Sequence, residues 1–470
     1  MSFSSSTLFA LSVAYLGLLF LLAHASEKGW LPLRWVRHPA VYTLSLGVFI
    51  SSWGLYGVVQ FAADFGYNFL AFYMGIAGAF LVAPMFLQPL LRLAKTHQLH
   101  SLPDLLAFRF RSQSVGSIAT LSILVGVMPL LTAQMQTMAE VVFIVTGGHS
   151  TRGMGVFFCA VLICFTLLFG TRQRNNRGLS HDGLVVAIAA ESLIKLIAML
   201  AISAYAYFSV LGGEQGLNQW LQNNPAALEQ MYQPLQGGYW HSLLLLFFFA
   251  AVVVPCMYQM AFTENREPRD LVTASWGVPL YFLLMAIGIP ILLWAGQALQ
   301  LSLPTTYYGL GIALQANSPW MTLILFVGTL AASSGILIVT TLALANMLLN
   351  HILLPISGLS TDDNLYQRTL NQQRLLIAFI PTAAFLLAWL PTLRPDSTEM
   401  SMLSFVATIQ LAPSMLALLF WPRATGMGVL IGLSAGILVW FVTSVLPAFF
   451  VPELDTSAWL GLDVNGQPVQ

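Results

Sequence analysis

The sequence predicts an all-α integral membrane protein of about twelve transmembrane helices, and three observations predict it. Of 470 residues, 57% are hydrophobic and only 8% charged, where a soluble domain carries about a quarter charged residues. Apolar stretches of about twenty residues, the length that crosses a bilayer as a helix, recur along the whole chain. The basic residues fall on alternate sides when the loops are counted off these stretches, as they do when cytoplasmic loops hold an excess of Lys and Arg.

The stretches run over 6–23, 41–62, 68–90, 120–145, 153–170, 183–211, 239–262, 276–298, 320–349, 375–393, 400–420 and 426–449. Nothing basic precedes the first, whereas Lys28, Arg34 and Arg37 follow it, the reverse of a secretory signal. It reads as a retained helix with its N-terminus outside. In that orientation the inside loops hold fifteen of the 18 Lys and Arg, the outside loops only Arg152 and Arg394, and Lys195 lies within the membrane. Residues 1–450 then form one polytopic domain. The tail 451–470, with Glu453, Asp455 and Asp463 and no basic residue, lies outside.

A net charge of zero, with no basic run carrying interleaved aromatic residues, argues against a nucleic-acid partner. Cys159, Cys164 and Cys256 all fall in apolar stretches without metal-ligand spacing and read as buried thiols. No nucleophile, base and oxyanion hole assemble, so neither an enzyme nor a cofactor is expected, and His181 and Asp182 read as a solvated helix start. The longer loops, about 212–238 and 299–319, suit short gate-covering helices or plain connectors. The segment 101–111, SLPDLLAFRFR, has a capped opening and helical apolar-basic spacing, the pattern of an interfacial helix.

Particular spans are interrupted. The second clusters Gly47, Ser51, Ser52, Gly54 and Gly57 halfway along. Either these small residues serve close helix packing, or the helix unwinds there and exposes backbone groups that water or an ion satisfies. The seventh carries Pro255 at mid-membrane, followed by Tyr258 and Gln259. Second and seventh are spaced as the first members of two five-helix inverted repeats would be, over about 41–211 and 239–420. The sixth span, HDGLVVAIAAESLIKLIAMLAISAYAYF, holds Glu191 and Lys195 one helical turn apart. Ionisable groups are expensive in hydrocarbon, so the two read as a cation-coupling pair or as a static ion pair. The ninth carries Thr329, Ser333, Ser334, Thr340 and Thr341. Such hydroxyls bond back to their own helix or, at Ser333 and Ser334 opposite an unwound Ser51, hold a small cation. Gln134 and Gln410 are amides in apolar surroundings that need partners. With Ser51, Ser52, Trp53, Tyr56, Tyr258 and Gln259 they make a candidate solute pocket of aromatic faces and neutral hydrogen-bonding groups.

LLFWPRATGMGVLIGLSAG from Leu418, the Gly183-Leu184 to Glu191 spacing and the hydroxyl-rich ninth helix resemble the sodium:solute symporter family. SSWGLYG at Ser51, LHSLPDLLAFRF at Leu99, FGTRQ at Phe169, HDGLVVAIAAESLIKLIA at His181 and ENREPRDL at Glu264 resemble, more closely, the transporter-like input module of CbrA-type sensor histidine kinases. The resemblance implies a LeuT-type 5+5 inverted repeat with additional flanking helices in a bacterial inner membrane. It implies alternating-access symport of a small organic solute, most simply an amino acid such as histidine. It also implies a sodium site built from carbonyls near Ser51 and the hydroxyls of Ser333 and Ser334, and places Glu191 where relatives have an aspartate linked with the cation path. Aligned without a gap, Leu330 and Ala331 stand where the sodium-binding hydroxyls usually are, which leaves sodium and proton both open as coupling ion. The alternative implied by the kinase relatives is a solute-sensing module in signal transduction. In those relatives a thirteenth span leads to histidine kinase signalling domains; this sequence stops after twelve.

Overall fold

The computed structural model describes residues 3–148, 151–170, 181–232, 237–316, 318–357, 365–390 and 395–449. The expected external tail and the end of the FGTRQ motif lie outside the described residues. All described elements are helical: α1 (Ser5–Glu27), α2 (Pro39–Phe49), α3 (Val58–Phe65), α4 (Leu70–Leu81), α5 (Leu87–His97), α6 (Leu102–Phe110), α7 (Gln113–Val145) and α8 (Thr151–Gly170). There follow α9 (Asp182–Val210), α10 (Gly213–Asn223), α11 (Pro225–Met231), α12 (Trp240–Val253), α13 (Pro255–Thr263), α14 (Pro268–Ala298) and α15 (Tyr308–Gln315). The last four are α16 (Pro319–Ile356), α17 (Leu365–Ala388), α18 (Ser397–Phe420) and α19 (Gly426–Phe449).

Among the described residues eight helices are long and apolar enough to cross a membrane singly, and two bent pairs raise the number to ten. Two further expected spans are helical as well. In 68–90, α4 and α5 are separated by a turn over 82–86 that contains Pro84. In 153–170, α8 is helical over Thr151–Gly170, the length of a crossing. Hydropathy alone does not register the turn at Pro84, because its residues are themselves apolar.

The bent pairs are the two spans in which interruption was expected. Pro39–Phe49 meets Trp53–Leu81 at 76°, and Trp240–Val253 meets Pro255–Thr263 at 52°. Each break has an extended residue, Ile50 (ψ 90°) or Val254 (ψ 127°), and each is followed by a π-helical turn, over Trp53–Gly57 or Gln259–Thr263. The two halves of the chain therefore repeat one device, as inverted repeats do. Pro255 accounts for the second break, since a proline cannot continue the hydrogen-bond ladder but starts a helix well. α3 ends at Gly66, whose φ of 54° and ψ of −140° only glycine adopts freely.

Packing places α9 inside the bundle against α1, α2, α14 and α16, with α4 against α12 and α14, and α7 against α18. The core at the first break is aromatic: Phe72 stands 5.4 Å from Phe49, 4.8 Å from Trp53 and 5.1 Å from Phe247, centroid to centroid. Helices α10 and α11 fill the first long loop and cover the far end of α3, where Gln230 Nε2 donates to the Ala63 carbonyl at 2.5 Å. At the other end α6 starts as expected, with Ser101 Oγ accepting from the Asp104 amide at 3.1 Å.

Candidate functional site

The first break frees backbone groups at membrane depth, and side chains from two other helices meet them. Gln134 of α7 accepts through Oε1 from the Ser52 amide at 3.0 Å and from Ser52 Oγ at 2.7 Å. Ser51 Oγ accepts from the Trp53 amide at 3.3 Å. On the carbonyl side, Lys195 Nζ of α9 donates to Gly47 O at 2.9 Å and Ile50 O at 3.0 Å. Gly47 permits the approach: a Cβ there would stand 2.7 Å from Ser192 Oγ and 2.9 Å from Tyr281 Cζ.

Glu191, one turn before Lys195, turns elsewhere. Its Oε1 accepts from Tyr15 OH at 3.2 Å and Ser334 Oγ at 2.6 Å, while Oε2 is buried without a partner. Ser334 Oγ also lies 2.7 Å from Leu330 O. Glu191 further lines an otherwise apolar cavity of ≈ 10 Å³ with Leu16, Ile188 and Ile338, about the volume that admits one water. The static Glu191–Lys195 ion pair is thus not formed: no salt bridge joins them, because spacing on one helix brings two long side chains within reach without deciding what each finds on the facing helices.

The candidate solute residues divide. Ser51, Ser52, Trp53 and Gln134 come together at the break, and Tyr56 follows one turn on, its OH sharing a 2.6 Å hydrogen bond with Thr329 Oγ1. Trp53 is 2% exposed and ringed by Phe72, Phe247 and Phe405 at 4.8–6.0 Å, yet its Nε1 has no partner. Tyr258 instead donates to Leu99 O at 3.5 Å, and Gln259 Nε2 to Glu264 Oε1 at 2.8 Å. Gln410 donates to Val406 O of its own helix at 3.3 Å, and its Oε1 faces Gly436 of α19. These three residues point away from the break. Of the residues expected to hold sodium, Ser51 and Ser334 are engaged by Trp53 and Glu191, and Ser333 Oγ is buried without a partner. The carbonyls next to Ser51, those of Gly47 and Ile50, carry the Lys195 ammonium.

A polar network missed in the sequence closes the end of the bundle where α9 begins. Glu264 Oε2 accepts from the His181 amide at 2.6 Å, and Oε1 lies 3.1 Å from His181 Nδ1. Arg266 pairs with Asp182 at 2.5 Å and donates to Val36 O at 3.1 Å, while Lys95 donates to Arg266 O at 2.7 Å. Asp104 pairs with His351 of α16 at 2.7 Å. Burial alone would raise the Asp104 and Glu264 carboxyls, but His351 with Ser101, and His181 with Gln259, outweigh it and hold both below their ordinary values. His181 and Asp182 are therefore partners in this network rather than a solvated helix start. The opposite charges of His-Asp at 181–182 and ENREPRD at 264–270 were the available signal.

No family model matches the sequence, and no curated protein matches it. Among solved structures the chain is similar to a sodium-coupled sialic acid symporter, captured substrate-bound and outward-open, at 14% identity over 93% of this chain and 98% of that one, with a TM-score of 0.63. A manganese transporter variant of Eremococcus coleocola is 15% identical over 90% of each chain, with a TM-score of 0.49. The chain is a multi-pass integral membrane protein, helical in all its described elements, with a LeuT-like fold.

Proposed function

We propose that the chain is a cation-coupled secondary transporter that carries a small organic solute by alternating access, of the sodium:solute symporter type and nearest to the input module of CbrA-type kinases. The observation that carries the reading is the first broken helix, whose carbonyls at membrane depth meet the intramembrane Lys195 while Glu191 keeps a free oxygen. Irregular backbone at that depth is tolerated where it lines a binding site or water path, and buried ionisable groups there mark cation traffic. The solute seat consists of Ser51, Ser52, Trp53, Tyr56 and Gln134, and the unpartnered Trp53 Nε1 amid phenylalanine rings suits a molecule with a flat or apolar body and one acceptor. An amino acid such as histidine is the first solute to try. The sodium-coupled structural relative favours sodium as coupling ion; the free oxygen of Glu191 favours a proton. The N-terminus faces outside, so the polar network lies on the cytoplasmic side and closes it in this conformation.

The test is uptake of labelled histidine into proteoliposomes under an imposed sodium gradient and, separately, a proton gradient. Each coupled monovalent cation supplies about 2.3 kcal/mol per 100 mV, so uphill accumulation under one gradient is the expected result. Binding without uptake under either gradient turns the reading to a solute sensor. Glu191→Gln is expected to bind but not accumulate, and full accumulation by that variant removes Glu191 from the coupling path.

A further inference from the structure

Lys195 is 0% exposed, and a fully buried ammonium requires oxygen ligands. Its nearest carboxylate neighbour in sequence, Glu191, is turned to Tyr15 and Ser334. The ammonium lies instead on Gly47 O and Ile50 O, two carbonyls at the point where α2 stops. Ser192 Oγ, buried without a partner, stands beside Gly47 and is the remaining oxygen of the group. This is the donor set that an alkali cation would ask for: neutral oxygens, backbone carbonyls first, at a helix end whose dipole favours positive charge. A free cation on the same two carbonyls would have to share them with a fixed positive charge in a medium that screens poorly.

We propose that the Lys195 ammonium is a built-in cation seated on the carbonyls of the first helix break, and that the chain therefore takes no sodium ion there. The inference rests on the symporter reading and narrows it: the helix break is held by a charge covalently attached to α9, in the place where a dissociable cation would otherwise bind. Sodium neither organises the break nor is needed to fill it.

The test needs no solute. The purified full chain in detergent is unfolded thermally in rising sodium chloride and, at matched ionic strength, in choline chloride. The wild type is expected to give the same midpoint in both salts at every concentration. Lys195→Ala, which vacates both carbonyls, is expected to gain a saturable upward shift in sodium alone, and Lys195→Ser serves where the alanine variant does not fold. A saturable sodium-specific shift in the wild type overturns the proposal with no variant required, as does a folded Lys195→Ala protein indifferent to sodium. Uptake in the proteoliposome experiment is a separate readout. A sodium-responsive wild type that still accumulates histidine removes this inference and leaves symport, whereas an unresponsive wild type that transports under neither gradient upholds the seated lysine and removes symport.

Discussion

The strap between Gln134 and Ser52 is where the broken helix is held to its neighbour, and replacing Gln134 by Leu measures it. The substitution keeps volume and removes one acceptor of two hydrogen bonds, at 3.0 Å to the Ser52 amide and 2.7 Å to its hydroxyl. Each bond contributes about 1 kcal/mol, and the Ser52 amide, buried beside a helix break, is left without that partner at a cost of about 1–3 kcal/mol. The sum is a loss of about 3–5 kcal/mol. Ser52→Ala removes the hydroxyl bond to Gln134 and the longer 3.3 Å contact with Thr137 Oγ1, while its amide still reaches Gln134, and is expected to cost about 1–1.5 kcal/mol. In the double variant the hydroxyl bond has already gone with Gln134, so the combined loss falls short of the sum by about 1 kcal/mol. Unfolding by sodium dodecyl sulfate in mixed micelles, followed by tryptophan fluorescence, reads all three values. Losses that simply add, or a Gln134→Leu protein within about 0.5 kcal/mol of wild type, would refute the claim that this amide holds the break.

Trp53→Phe is expected to cost about 1–3 kcal/mol of stability from the space its smaller ring leaves among Phe72, Phe247 and Phe405, with no protein hydrogen bond lost at Nε1, and to weaken binding of an acceptor-bearing solute about tenfold, the equivalent of one hydrogen bond; calorimetric titration on the folded variant decides, and unchanged affinity removes Trp53 from the solute seat. Gly75→Ala would set a Cβ 2.7 Å from Phe247 Cβ and 2.8 Å from Leu244 O, where the α12 backbone cannot yield, at a cost of about 1–3 kcal/mol. Gly432→Ala meets nothing within 4 Å and is expected to be neutral or slightly stabilising, so equal losses from the two in the same detergent titration would contradict the packing. Asp104 and Glu264 are held below their ordinary values of 3.8 and 4.5, so the stability they contribute is present above those values and lost as pH falls through the lower folded ones. Thermal midpoints should therefore drop on acidification below about pH 4, and an identical acid limb in the Asp104→Asn, Glu264→Gln double variant would show that the network is not its source.

What was legible in the sequence was whatever depends on neighbours along the chain. Apolar runs of bilayer length became helices, the Gly and Ser cluster at 47–57 became a break, Pro255 became another, and Ser101 capped α6. The turn at Pro84 is also local, but hidden by composition: its neighbours are apolar, and a hydropathy window averages across it.

The hydrogen-bond partners at the site were less legible, for a different reason. Glu191 and Lys195 stand four apart on a helix, yet the atoms that claim Lys195 lie 145 and 148 residues away, and those that claim Glu191 come from α1 and α16. Tyr258 and Gln259 follow Pro255 as Trp53 follows Ser51, but a π-helical turn starting at Gln259 swings the amide to Glu264. Periodicity states which side of a helix a residue occupies; only the facing helix states what that side meets. A buried charge is the residue for which this matters most, because its ligands decide whether it is a salt bridge, a proton carrier or a seated cation. For Lys195 those ligands are carbonyl oxygens, which no side-chain pattern in the sequence could have announced, and their preference for a cation of any origin is what makes sodium titration of the wild type decisive.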